Sequence, residues 1–143
     1  MRAGVETLDR ITVDAIIENS KGEILLIEEN SPKEYHFAGG GIEIGETALQ
    51  ALEKEIREET GYTDFEVIGE VSGSFVAVDG FRHTKQKNQR SIGRFYHVKL
   101  LSEARLHSEV EDGHHSMVWV PVSEVATKIT WDSHRSAWNI LKN

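Results

Sequence analysis

GGIEIGETALQALEKEIREETGY, residues 40–62, carries the strongest structural signal in this chain. Glu55, Glu58 and Glu59 stand at i, i+3 and i+4, so they project from one side of a helix. Three like charges so placed would weaken a helix left to itself. Immediately upstream lie the glycines Gly39, Gly40 and Gly41 and a further acid, Glu46. Hard divalent cations take oxygen ligands and are commonly shared between carboxylates and substrate phosphates. The pattern fits a metal site for phosphate chemistry.

Angles separate this pattern from a merely solvated face. At about 100° per residue, Leu49, Leu52 and Ile56 form an apolar stripe, with Glu55, Glu58, Glu59, Ala48 and Ala51 beside it. Gln50, Glu53, Lys54 and Arg57 fall on the remaining side, although Lys54 reaches Glu58 at i+4. A surface built for solubility would interleave the signs. The helix is expected from about Thr47 to Thr60, with Gly61 supplying the left-handed position that ends it.

Outward from this helix the chain reads as strands. Ile11 to Glu18 alternates apolar and polar residues, Asn19-Ser20-Lys21-Gly22 is a turn signal, and Glu23 to Glu28 returns as a second strand. Pro32 marks a loop, and Tyr35-His36-Phe37 leads into the glycines. Phe65 to Val78 is β-like, bent or bulged at Gly69 and Gly73. Ser91 to Leu101 is a long strand and Met117 to Pro121 a short one. Ser123 is expected to cap a brief turn, and Asp132 or Ser133 a final helix that turns Trp138 and Leu141 inward. Strands with one central and one terminal helix predict an α/β domain with helices on a mixed sheet.

Composition bounds the function. A length of 143 residues suits one domain over 1–143, without linker, repeat or low-complexity segment. A net charge of −8 argues against a nucleic-acid partner, which needs a basic footprint, yet leaves nucleotides open because a metal reverses the local sign. The absence of cysteine excludes disulfides, zinc–thiolate sites and thiol nucleophiles. No stretch has the apolar length of a membrane span or a signal-peptide core, so no membrane partner and a cytoplasmic location are expected.

Gly40, five residues, Glu46, seven residues, then Lys54-Glu55-Ile56-Arg57-Glu58-Glu59-Thr60-Gly61-Tyr62 resembles the Nudix box. That box marks hydrolases of nucleoside diphosphates linked to a further group. Every fixed position matches except the arginine before the first glutamate, which is Lys54. A proline that commonly precedes the glycines is Ala38 here. The order of elements resembles the Nudix fold, an α/β/α sandwich, across nearly the whole chain.

The resemblance implies a site. Glu55, Glu58 and Glu59 would bind Mg²⁺ or Mn²⁺, a carbonyl at Gly39 would complete the shell, and Glu55 is the first choice for general base. A downstream acid often adds a ligand, for which Glu111 is preferred over Glu109. Lys54 stands where the family's arginine orients the catalytic carboxylate, and it lacks the planar fork that holds two acceptors. Gly40 and Gly41 let the backbone approach a substrate. Glu46 lies near the helix N-terminus, where the dipole favours an anion, and a helix-capping role is its alternative. The basic segment Arg82–Arg90 joins two strands and offers Arg90 to phosphates beyond the metal; an exposed hairpin tip is its other description. Tyr35, Phe37, Phe75 and Phe81 are rings for base stacking or for the core. His114 and His115 point to opposite faces and are given no metal. Trp119, Trp131 and Trp138 are expected in the core or at a dimer contact.

Hydrolysis of a nucleoside triphosphate to monophosphate and pyrophosphate is the default activity. Sugar nucleotides, dinucleoside polyphosphates and a weakly catalytic nucleotide-binding module stay open, and family resemblance points to a homodimer as the assembly.

Overall fold

A computed structural model describes residues 1–108, 113 and 115–143. Glu109, Glu111 and His114 lie outside the described residues.

The long first strand β1 (Thr7–Glu18) organises the sheet. It pairs in parallel with β7 (Lys87–Leu100) through twelve residue partners, from Thr7 opposite Asn88 to Glu18 opposite Lys99. Its other edge is divided. Thr12–Ala15 pair antiparallel with β4 (Ala38–Gly41), and Glu18 meets Ile24 at the start of β2 (Glu23–Asn30). The β1–β2 turn closes as its sequence predicts, with Asn19 Oδ1 accepting from the Lys21 and Glu23 amides at 3.0 and 2.9 Å. β3 (Lys33–His36) and β8 (Ser116–Pro121) pair with β2, while β5 (Phe65–Glu70) and β6 (Phe75–Arg82) pair antiparallel with β7. Register shifts fall between Val67 and Gly69 and between Val78 and Gly80. The expected bend at Gly69 is therefore a bulge, and a second one occurs at Gly80.

Each face of this mixed sheet carries helices, because side chains alternate along the strands. Val13, Ala15, Ile17, Tyr96 and Val98 pack with Leu52 and Ile56 of α1 (Ala48–Thr60). Ile16, Phe37 and Phe95 pack on the opposite face with Val125 of α2 (Val125–Lys128) and with Ala137 and Trp138 of α3 (Asp132–Lys142). The result is the expected α/β/α sandwich.

Several local expectations need correction. The buried stripe of α1 is Ala51, Leu52 and Ile56, while Leu49 is half exposed. β7 begins at Lys87 rather than Ser91, because its first polar residues are bonded inward. Asn88 exchanges hydrogen bonds with the Arg2 backbone at 2.8 and 2.7 Å, and Gln89 donates to Asp79 at 3.0 Å. Ser123 lies inside a 3₁₀ turn (Val122–Glu124) that has no side-chain cap. α3 is likewise uncapped by a side chain, and its N-cap residue is Trp131.

Candidate active site

α1 is fixed at both ends by its own residues. Thr47 is the N-cap, and it exchanges hydrogen bonds with Gln50 in a capping box, at 3.1 and 2.9 Å. Gly61, with φ of 80°, ends the helix and donates to the Arg57 carbonyl at 2.9 Å. The loop before the helix is tied down by Glu46, which accepts from the Glu43 amide at 2.9 Å and from Lys54 at 2.8 Å. Lys54 also meets Glu43 at 3.6 Å. The ammonium holds Glu46 below the ordinary carboxylate range, and Glu46 in turn raises Lys54. Glu46 is thus a loop latch, and the helix-capping alternative falls to Thr47.

The acids divide by exposure. Glu55 and Glu59 are half-buried and Glu58 is exposed. A Cβ placed on Gly40 would lie 2.5 Å from Glu55 Cδ and 2.6 and 2.7 Å from its two oxygens. The Glu55 carboxylate therefore occupies the space that any other residue at position 40 would fill. Gly40 and Glu59 also line the large cleft on this side of the molecule. Among the described residues no three acidic or histidine side chains already converge as a cation cage. An all-oxygen donor set of one or two carboxylates still suits Mg²⁺, which keeps several waters and takes substrate phosphates as ligands. The residues present fit such an ion.

The cleft has a volume of about 1020 Å³ and borders β1, β2, β3, β4, β6, β7, the end of α1 and the start of α3. Arg10, Thr12 and Asp14, alternate residues of β1, line it. The Arg10 guanidinium lies across Gly41, where a Cβ would be 2.7 Å from its Nε. Asp14 is 6% exposed, and burial pushes its carboxyl up to about 7, with Glu55 adding to the rise while Thr12 and Arg10 oppose it. His134 of α3 is also buried. The Phe37 amide donates to His134 Nδ1 at 3.1 Å, which places the ring proton on Nε2, 3.7 Å from Asp14 Oδ1. Burial, reinforced by His36, lowers His134 to about 3, so this imidazole is neutral near pH 7.

The other expected residues divide between this cleft and other parts of the molecule. Arg90 forms a two-point contact with Asp9 at 2.9 and 3.1 Å. The β6–β7 hairpin lines a second cavity of about 620 Å³ with Arg82, His83, Thr84 and Lys85, and Arg10 borders both cavities. Phe37 and Phe75 are buried in the cleft wall, Phe81 belongs to the second cavity, and the Tyr35 hydroxyl donates to Glu28 at 2.5 Å. Trp138 is core, Trp119 packs edge-on to Tyr62, and Trp131 lines the cleft at 37% exposure. Arg10, Asp14 and His134 were missed from sequence. The Arg10-Thr12-Asp14 alternation at the polar start of an apolar strand was the signal available for two of them.

The model of the NUDIX domain family matches residues 8–138, and the chain belongs to that family. A 53-residue segment is 43% identical to the ADP-ribose pyrophosphatase of Methanocaldococcus jannaschii, covering 36% of this chain and 31% of that protein. A 52-residue segment is 40% identical to the RNA pyrophosphohydrolase of Acinetobacter baylyi, with coverage of 36% and 31%. The matched segments thus span about a third of either relative. The structure of the E. coli dihydroneopterin triphosphate pyrophosphohydrolase superposes with a TM-score of 0.70 at 18% identity, over 93% of this chain and 96% of that one. At that identity the likeness is one of fold.

Proposed function

We propose that this chain is a Mg²⁺- or Mn²⁺-dependent hydrolase of a diphosphate linkage in a nucleoside diphosphate derivative. Nucleoside triphosphates, cleaved to a monophosphate and pyrophosphate, are its leading substrates. The observation that carries this function is the Glu55 carboxylate lodged against Gly40, beside a cleft that Gly40, Glu59 and Arg10 line.

Glu55, Glu58, Glu59 and the Gly39 carbonyl would hold the ion, with Glu111 as a proposed further ligand. A divalent ion there neutralises phosphate charge and acidifies water. The chain's own residues do the rest. Glu55 accepts the proton of the attacking water. Arg10, a fixed cation above the bare backbone of Gly41, pairs with phosphate oxygens. Lys54 positions the loop through Glu46 and Glu43, and so sets how the start of α1 meets the glycines.

One observation favours a second function, a nucleotide-binding module of low turnover. The Lys54 ammonium is directed to Glu46 and Glu43 rather than forming a fork on Glu55. A panel of nucleoside triphosphates, sugar nucleotides and dinucleoside polyphosphates with Mg²⁺ or Mn²⁺ separates the two. Release of phosphate or pyrophosphate supports the hydrolase and names its substrate class. Tight nucleotide binding without turnover on any member would establish the module.

A further inference from the structure

β3 joins β4 through Phe37 alone, so His36 stands four residues before Gly40, about 13 Å of extended chain. The cleft therefore extends from the Glu55–Gly40 contact to a second group of side chains with a different chemistry. There the His36 and Trp131 rings are stacked, centroids 3.8 Å apart and planes inclined by 6°. Each ring is anchored by a carboxylate: His36 Nε2 lies 3.0 Å from Glu29 Oε1, and Trp131 Nε1 donates to Glu34 Oε2 at 2.8 Å. All four residues line the cleft, and Trp131 remains 37% exposed.

Glu29 and Glu34 are direct cross-strand partners in the β2–β3 pair. Like charges directly opposite one another destabilise a sheet, so local folding does not explain the pair. Each carboxylate has one oxygen on a ring nitrogen and, among the described residues, a second, Glu29 Oε2 or Glu34 Oε1, available to a donor. A separate observation supplies the opposite polarity. His134, 5% exposed, borders the same cleft edge-on to Trp131, and its Nε2–H lies 3.7 Å from Asp14 Oδ1, beyond hydrogen-bond length.

We propose that Trp131, His36, Glu29, Glu34 and His134 form a recognition site for a flat heterocycle with a guanine-type edge: ring N–H and amino donors beside a carbonyl acceptor. The ring stacks on the Trp131–His36 pair. Its N–H and amino groups donate to the glutamates, and its carbonyl accepts from His134. A base that lacks the amino group forfeits a charge-assisted hydrogen bond to a half-exposed carboxylate, and one that lacks the carbonyl leaves the buried His134 Nε2–H unpaired, so binding should discriminate among bases. This site rests on assigning the cleft to a nucleotide, and it adds which base the cleft selects.

Binding measured apart from catalysis tests it. GMP, IMP and UMP are titrated into the full chain in the presence of a chelator, followed by calorimetry. GMP should bind at least about tenfold more tightly than IMP, which lacks the amino group, and UMP should be weaker still. Glu34→Gln should erase most of the GMP–IMP difference, and Trp131→Leu should weaken GMP, with Trp131→Phe restoring part of the loss. Equal binding of the three nucleotides by the wild-type chain would overturn the site, as would a GMP–IMP difference that survives Glu34→Gln. Hydrolysis of all nucleoside triphosphates at one rate alongside equal binding would remove the base site and leave the hydrolase standing. Base-selective binding without any hydrolysis would do the reverse.

Discussion

At the scale of single residues, the site depends on a missing side chain. Gly40 leaves the volume that the Glu55 carboxylate occupies, with the absent Cβ only 2.5 Å from Glu55 Cδ. Gly40→Ala must swing the carboxylate away, and a displacement of about 1 Å at a catalytic group can cost about 10²-fold in rate. The expected outcome is such a fall in kcat with the melting temperature nearly unchanged, read from steady-state kinetics and calorimetry on the same preparation. Lys54 supplies a second prediction. Its ammonium reaches Glu46 at 2.8 Å and Glu43 at 3.6 Å, whereas an arginine carries a planar fork able to hold two acceptors at once. Lys54→Arg should raise kcat if orientation of Glu55 limits the reaction, and an unchanged kcat would assign Lys54 to the loop alone.

At the scale of elements, α1 shows how local sequence positions distant chemistry. The Thr47–Gln50 capping box and the Gly61 cap fix both ends, so the turn bearing Glu55, Glu58 and Glu59 has one placement against β4. Thr47→Ala removes a side-chain acceptor from the helix N-terminus and should cost about 1 kcal/mol in denaturant unfolding. Because the cap lies at the opposite end from Glu59, activity per folded molecule should fall little. Much of this element was legible in sequence, since periodicity, the acids and Gly61 are all local signals. The apolar stripe was drawn one residue wrong because Leu49 is the larger apolar residue, yet Ala51 is the side chain that fits close helix–sheet packing. The caps expected at Ser123 and Asp132 failed for a related reason: a good capping residue type marks a helix start only where the backbone presents its amides to it. The start of β7 was hidden because Asn88 and Gln89 are polar yet satisfied by partners that only the fold supplies, the distant Arg2 backbone and, across the β6–β7 hairpin, Asp79.

At the scale of the whole molecule, the sandwich brings residues from opposite ends of the chain into one cleft. Asp14 on β1, Phe37 ahead of β4 and His134 on α3 meet there, and only the tertiary structure could reveal it. The same convergence couples stability to pH. An unfolded histidine takes up a proton near 6.5, but His134 within the fold does so only at about 3. Between those values the unfolded histidine binds more protons, so the His134 contribution makes stability rise with pH there, while Asp14, which keeps its proton to about 7 in the fold, contributes the opposite slope. The contribution of neutral His134 is fully present above about 6.5 and is lost as pH falls toward 3. His134→Gln should flatten the acid side of a stability–pH profile taken by chemical denaturation; an unaltered slope would show that other groups set it. The acidic ridge and the glycines were readable as a motif, whereas the cleft walls were not. Trp131, expected in the core or at a dimer contact, lines the cleft in stacked contact with His36.

The most direct test of the central claim is the rate of pyrophosphate release from a nucleoside triphosphate in millimolar Mg²⁺, measured for the wild-type chain beside Glu55→Gln. With Glu55 as the proton acceptor, the substitution should lower kcat by about 10²- to 10⁴-fold while nucleotide binding is retained. Equal rates for the two proteins would contradict the account.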